Sequence, residues 1–468
     1  MDLDTDTESP MLHPAPTSTR KLKQYCAAIS VSLGALCAGT CLAWSSPALA
    51  QLSVTANSTE SFHLTDSQGA AVGGMIAIGA LISAIPAGFL ADKFGRKNVI
   101  FALSLTFLLN WILIIFAQNV TTLIIGRIFA GIGTGAICVV GPIYIGEIAE
   151  KSTRGVLGAL INMFLCSGIL LTCVFGSFTT WRVLSMILGT VPVIFGGSFL
   201  FMPETPVYLV KAKNLEKAEK TLIEFRRSNH DINTELKEIQ REVEASQQNA
   251  ASIRDVFTSK ANRRAFMSVV AVLAFQQLCG VNAVVFYTVP IFQAAGSSLR
   301  PDLVGIIIGL VQVLSAYVSL LVIEKANRKF YLMLSSVGML LFLTALGMYF
   351  HLKSLNVDIS HLSFLPIGSA VMFMVSFSFG YGPIPWLLMG ELFAPEIKGV
   401  GNGFAIATNW SCAFLVTYFF PIIKSGLGAH VAFYICAGIN ALATVYVGFV
   451  VPETRGKTLL DIQQILNK

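Results

Sequence analysis

Stretches of about 20 mainly apolar residues recur along the 468-residue chain, near 26–48, 69–91, 98–117, 121–146, 156–177, 183–202, 265–294, 302–323, 330–350, 364–389, 400–424 and 429–451. A helix rising 1.5 Å per residue needs about 20 residues to cross a hydrocarbon core about 30 Å thick. Inside that core a backbone must satisfy its own hydrogen bonds, which leaves helices or closed barrels. The repeat therefore predicts an all-α membrane protein with twelve transmembrane helices. Composition agrees: 54% of residues are hydrophobic and only 12% are charged, against about 25% charged in soluble proteins.

About twenty-five mainly polar residues precede the first run, which is too long and too late for a cleaved signal peptide, so it reads as a retained span. The nine cysteines, Cys26, Cys37, Cys41, Cys138, Cys166, Cys173, Cys279, Cys412 and Cys436, all lie in or at the edge of predicted spans with no CxxC pair. They read as small buried hydrophobes, not as a disulfide frame or metal site. Lys and Arg concentrate in alternate loops: Arg20, Lys21 and Lys23, then Lys93, Arg96 and Lys97, then Lys151 and Arg154, then Lys325, Arg328 and Lys329, then Lys398, and finally Arg455 and Lys457. Short cytoplasmic loops carry this excess, which places both termini in the cytoplasm. The net charge of +6 then reflects orientation in a lipid bilayer, and no nucleic-acid partner is implied. The sequons at Asn57 and Asn119 fall on the outer side as candidate glycosylation sites.

One long polar segment, 207–262, divides the spans six and six; in it Leu215, Ala218, Leu222 and Phe225 repeat at helical spacing among mixed charges. The organisation expected is a cytoplasmic N-terminal tail (1–25), a six-helix half (26–206), a cytoplasmic helical linker (207–262), a second six-helix half (263–451) and a cytoplasmic C-terminal tail (452–468). The halves repeat each other. Asp92 and Arg96 recur as Glu324 and Arg328, displaced by 232 residues; Glu147 and Arg154 recur as Glu391 and Lys398, displaced by 244; PETP at Pro203 recurs as PETR at Pro452, displaced by 249. Two homologous halves are the arrangement of alternating-access carriers. The eight charges then read either as a latch of ion pairs joining the halves while the pore faces outward, or as topology charges solvated at the headgroups.

The glycines of GRIFAGIGTG lack GxGxxG spacing and sit in a span without a preceding strand, so they read as helix-packing positions and not as a nucleotide loop. No HExxH, GxSxG elbow or nucleophilic triad is present, which argues against an enzyme and gives no cofactor to expect. Gln276, Gln277 and Asn282 cluster in the seventh span, where GVN can break the helix and let them converge on a polyhydroxylated solute; the alternative is that they glue neighbouring helices. Trp386, beside Pro383 and Pro385, offers an aromatic face and a gating hinge, or interior packing.

The segments GFLADKFGRK, GRIFAGIGTG, PIYIGEIAEKSTRG, PETP, QQLCGVNAVVFYTVPIF, GPIPW and PETRGKTL, in that order, resemble the sugar porter family of the major facilitator superfamily, and within it facilitative hexose carriers and insect facilitated trehalose transporters. The resemblance covers nearly the whole chain. It implies a two-half major facilitator fold and adds Asn162, Gln312 and Asn409 to the substrate-binding candidates. Asn327 stands where the family has a glycine, Lys398 where it has an arginine, and Ser378 where many hexose carriers have a glutamate. Symporters of the family pair an aspartate on the first span with the arginine corresponding to Arg127; the first span here has no acid. The function expected is facilitative, proton-independent transport of a hexose or trehalose by a monomer in the cell membrane. The alternatives are a sugar sensor that does not transport, or a carrier of another polyol or organic solute.

Overall fold

The computed structural model describes residues 21–53, 63–150, 153–226, 231–248, 259–295, 300–323, 327–393, 397–457 and 459–467. Asn57 and Glu324 lie outside the described residues, as does the side chain of Lys398. The first six spans are built from α1 (Lys21–Ala43) with α2 (Ser45–Leu52), α3 (Asp66–Phe94), α4 (Arg96–Ile115), α5 (Val120–Ile148), α6 (Arg154–Gly176) and α7 (Trp181–Leu200). Three polar-segment helices follow: α8 (Pro206–Lys211), α9 (Leu215–Phe225) and α10 (Ile232–Gln248). The second set comprises α11 (Lys260–Leu278) with α12 (Val281–Ala295), α13 (Pro301–Ile323), α14 (Arg328–Ser354), α15 (Leu365–Phe379) with α16 (Ile384–Glu391), α17 (Lys398–Leu427) and α18 (Ala429–Phe449), before the short α19 (Leu459–Asn467). Eleven of these segments are long and apolar enough to cross a membrane, and α13 carries a shorter apolar stretch, Leu303–Ser319.

Three spans are broken, two of them at turn formers. The seventh breaks at Gly280, whose φ of +95° only glycine adopts without strain. A side chain there would also meet Cys436 Sγ at 3.0 Å. The tenth breaks across Gly380–Pro383, and the first bends at Trp44. Glycines otherwise serve close packing: a Cβ at Gly131 would run into the backbone of Ile76 and Gly79, so α5 and α3 touch nearly backbone to backbone. This is the packing read from GRIFAGIGTG.

The halves meet along α3 with α17, α6 with α13 and α2 with α12. Ala77, Ala80 and Ala84 of α3 are small enough to admit Ile406, Trp410 and Ala413 of α17. Beside the spans, α8–α10 enclose a small core of Leu209, Val210, Ala218, Leu222, Ile239 and Val243. The helical spacing in the linker predicted this buried stripe for Ala218, Leu222 and Phe225, while Leu215, the first residue of α9, stays exposed.

Candidate functional site

The break at Gly280 turns the end of α11 and the start of α12 toward each other. Asn282 Nδ2 donates to Gln277 Oε1 at 2.5 Å, five residues away, and Gln277 Nε2 donates to Asn409 Oδ1 of α17 at 3.0 Å. Asn409 Nδ2 donates in turn to Gln276 Oε1 at 2.9 Å and to the Leu273 carbonyl at 3.0 Å. Gln276 Nε2 finishes the chain on the carbonyls of Tyr381 at 2.6 Å and Gly382 at 2.9 Å, which the break between α15 and α16 releases. Four amides thus join three spans of the second half. Gln276 and Asn409 are buried, whereas Gln277 and Asn282 are only partly so. The two inner amides are fully committed to protein partners and position the site; the two outer ones are reachable by a solute that supplies alternating donors and acceptors.

The remaining candidates are dispersed. Gln312 on α13 is buried, with an Oε1 that has no protein partner. Asn162 on α6 is exposed and, among the described residues, makes no side-chain hydrogen bond. Trp386 packs against the cluster of α3 and α17 side chains at the seam between halves. Ser378 turns back to the Met374 carbonyl at 2.9 Å. No described hydrogen bond ties Asn162 or Gln312 to the amide chain.

Arg127 is fully buried, and its three hydrogen bonds go to neutral acceptors: the carbonyls of Val72 at 3.2 Å and Cys41 at 2.6 Å, and Ser45 Oγ at 2.9 Å. Its guanidinium also lies 5.5 Å from the Trp44 ring. Among the described residues no carboxylate pairs with it.

At one end of the spans the repeated charges pair inside each half. Arg96 Nη2 lies 2.9 Å from Glu147 Oε1 and 2.8 Å from Asp92 Oδ1; Arg328 Nη2 lies 3.0 Å from Glu391 Oε1. Thr205 and Thr454 each donate to the second oxygen of the same glutamate at 2.5 Å. The PET glutamate of each half caps a helix: Glu204 accepts from Lys97 N, and Glu453 from Arg328 N and Lys329 N. These carboxylates meet the positive ends of α4 and α14. Burial nonetheless pushes the Glu204 carboxyl above the usual carboxylate range, outweighing its backbone hydrogen bonds. Arg154 is exposed and makes no ion pair among the described residues. Asn119 is exposed and caps α5, accepting from Thr122 N at 2.9 Å.

Sequence reasoning did not single out the contacts at the opposite ends of the spans. Tyr287 Oη donates to the Thr417 carbonyl at 2.7 Å, and Val289 N donates to Ser46 Oγ across the seam at 3.1 Å. It also passed over Asn440 of α18, which donates to the Cys279 carbonyl at the break at 3.3 Å. A polar residue in the last apolar run was the one available signal for Asn440.

The family model described as "Sugar (and other) transporter" matches residues 25–466. The chain is 37% identical over 463 residues to the facilitated trehalose transporter Tret1 of Culex quinquefasciatus, covering 98% of this chain and 89% of that relative. It is 38% identical over 442 residues to Tret1 of Drosophila mojavensis, covering 94% of this chain and about half (51%) of that longer relative. Among solved structures, a partially occluded inward-open conformation of the xylose transporter XylE from E. coli superposes with a TM-score of 0.78 at 22% identity, covering 94% of this chain and all of that one. XylE described as a proton:xylose symporter, bound to 6-bromo-6-deoxy-D-glucose, gives 0.77 at 21%, covering 96% and 100%.

Proposed function

Because the chain belongs to the sugar transporter family, we propose that it carries a hexose or trehalose across the cell membrane down its gradient, by alternating access and without proton coupling. The observation that supports the last clause is Arg127: a buried cation held by two carbonyls and a hydroxyl, with no carboxylate partner among the described residues with which to exchange a proton. Support for the sugar comes from the amide chain, whose partly exposed members, Gln277 and Asn282, present a carbonyl and an amide group at a helix break. A sugar that replaces their mutual hydrogen bond keeps both satisfied. Both termini face the cytoplasm in this reading, and one copy of the chain is the transporting unit.

The conformation bears on the latch. The described cytoplasmic ion pairs stay within halves, while a cross-half hydrogen bond closes the opposite side. In this reading the arrangement is the inward-facing form, in which a latch joining the halves is released.

The test is uptake of labelled glucose, fructose and trehalose into sealed proteoliposomes with an imposed pH gradient. Equilibration to equal concentrations, insensitive to a protonophore, is expected. Accumulation that collapses with the protonophore would refute the uncoupled mechanism, and binding without flux would favour a sensor.

A further inference from the structure

His351 stands in the last turn of α14 and His430 in the first turn of α18, so both lie at the ends of their spans remote from the charged clusters. Their imidazoles stack across the two helices, with ring centroids 4.8 Å apart and planes 12° apart. Tyr434, one turn on from His430, meets both rings edge-on, at 6.1 Å and 6.4 Å. Gly428 leaves room for the stack, since a Cβ there would lie 2.8 Å from His430 Cε1. His351 is exposed and His430 partly so. Among the described residues neither imidazole makes a hydrogen bond or an ion pair, so the lone pair of each neutral ring is uncommitted.

An imidazole nitrogen sits about 2.0–2.1 Å from a bound transition metal, which puts the ring centre about 3.2 Å from the ion. Two imidazoles on one ion then have centres about 4.5 Å apart at a 90° angle and about 5.2 Å apart at the tetrahedral angle. The observed 4.8 Å falls inside that interval. Chelation therefore asks each ring to turn its nitrogen edge inward, a rotation about a soft torsion, and asks no movement of the helices. From this geometry we propose that His351 and His430 form a two-imidazole site for a divalent transition metal of the Ni2+, Cu2+ or Zn2+ class, clamping the end of α14 to the start of α18. Among the described residues no third His, Cys, Asp or Glu joins them, so water completes the coordination. Mg2+ and Ca2+, which take oxygen ligands, find no carboxylate there. Both ligands belong to the second half, so the ion does not bridge the seam, and the site is independent of the solute carried.

The experiment is equilibrium dialysis of Ni2+ against the full chain, purified in detergent without a polyhistidine tag and held in excess Mg2+. The parent should bind an ion whose affinity falls roughly tenfold or more in His351→Gln and in His430→Gln alike, the scale of losing one arm of a chelate. His361→Gln changes an exposed histidine in the connection after α14, outside the stack, and should bind as the parent does. Because His351 is exposed, its substitution leaves the packing intact, and His351→Gln decides the matter even if His430→Gln folds poorly. Ni2+ affinity unchanged in His351→Gln, or lowered as much in His361→Gln as in the stack variants, would overturn the proposal.

Discussion

The two charged clusters are copies of one pattern and differ in what covers them. In both, an arginine at the start of a span pairs with a glutamate at the end of another, a threonine holds the glutamate's second oxygen, and the PET glutamate caps the arginine's helix. In the first half, α8 lies over the cluster: Tyr208 covers the Arg96 guanidinium with its ring centroid at 5.5 Å, and Lys211 pairs with Asp92 at 3.0 Å. The Arg96 side chain is only 4% exposed and Glu147 14%. In the second half, the chain after Thr454 turns at Gly456 and continues to α19, which packs on α11, leaving Arg328 12% and Glu391 29% exposed. The same polar pattern is therefore more dehydrated in one copy, which raises the cost of breaking it.

The largest expected effect tests that difference directly. Arg96→Ala strands Glu147 away from water and should cost about 3 to 5 kcal/mol, the range for one partner lost from a buried pair. Arg328→Ala, with a wetter glutamate, should cost about half as much by the same principle. Apparent unfolding temperatures of both variants in detergent would show the ordering; equal losses would break the comparison.

The proposed substrate site gives a second contrast, since the amides of the hydrogen-bonded chain all come from the second half. Gln277→Ala and Asn282→Ala should each weaken sugar binding by about 1 to 3 kcal/mol, the penalty for a lost buried hydrogen-bond partner. Direct binding measurements decide this, and unaltered affinity in both would return these amides to a helix-joining role.

A smaller effect separates Gly95 from Asn327, which occupy equivalent places. Gly95 has φ +95°, and a Cβ there would strike the Glu204 carboxylate, so Gly95→Ala should cost about 1 to 3 kcal/mol. Asn327 sits at φ −70° and accepts from Arg455 Nη1 at 2.9 Å, so Asn327→Ala should cost less than about 1.5 kcal/mol. The family's glycine is dispensable in the second copy because the backbone there does not enter the left-handed region.

The smallest effect concerns pH. A carboxyl raised in the folded state binds its proton more tightly folded than unfolded, so the stability it contributes is present at low pH and lost as pH rises through the folded value. Glu204→Gln, which keeps an oxygen for Lys97 N, should flatten that part of the stability curve between mildly acidic and neutral pH. A melting series across that range that is identical for parent and variant would show that Glu204 does not contribute.

Much of this was legible in the chain. The helical class and the spans follow from apolar length alone, because a bilayer leaves the backbone no alternative. The family is legible in ordered motifs, and the convergence of Gln277 on Asn282 in a break that glycine permits. The repeat between halves marked the arginines and glutamates, but not which partner each arginine would choose, since charges at one depth can pair within a half or across it. Asn162 and Gln312 were placed with the amides by resemblance, yet they stand apart from that chain in this conformation. Burial of Arg96, the neutral cage around Arg127 and the contact of Tyr287 with Thr417 depended on segments 51 to 130 residues apart closing on one another. Sequence determined which groups were available and how deep each lies in the membrane; only the tertiary structure decided their partners, because hydrogen bonding and desolvation act over a few ångströms and local pattern carries no record of which distant segment will be that close.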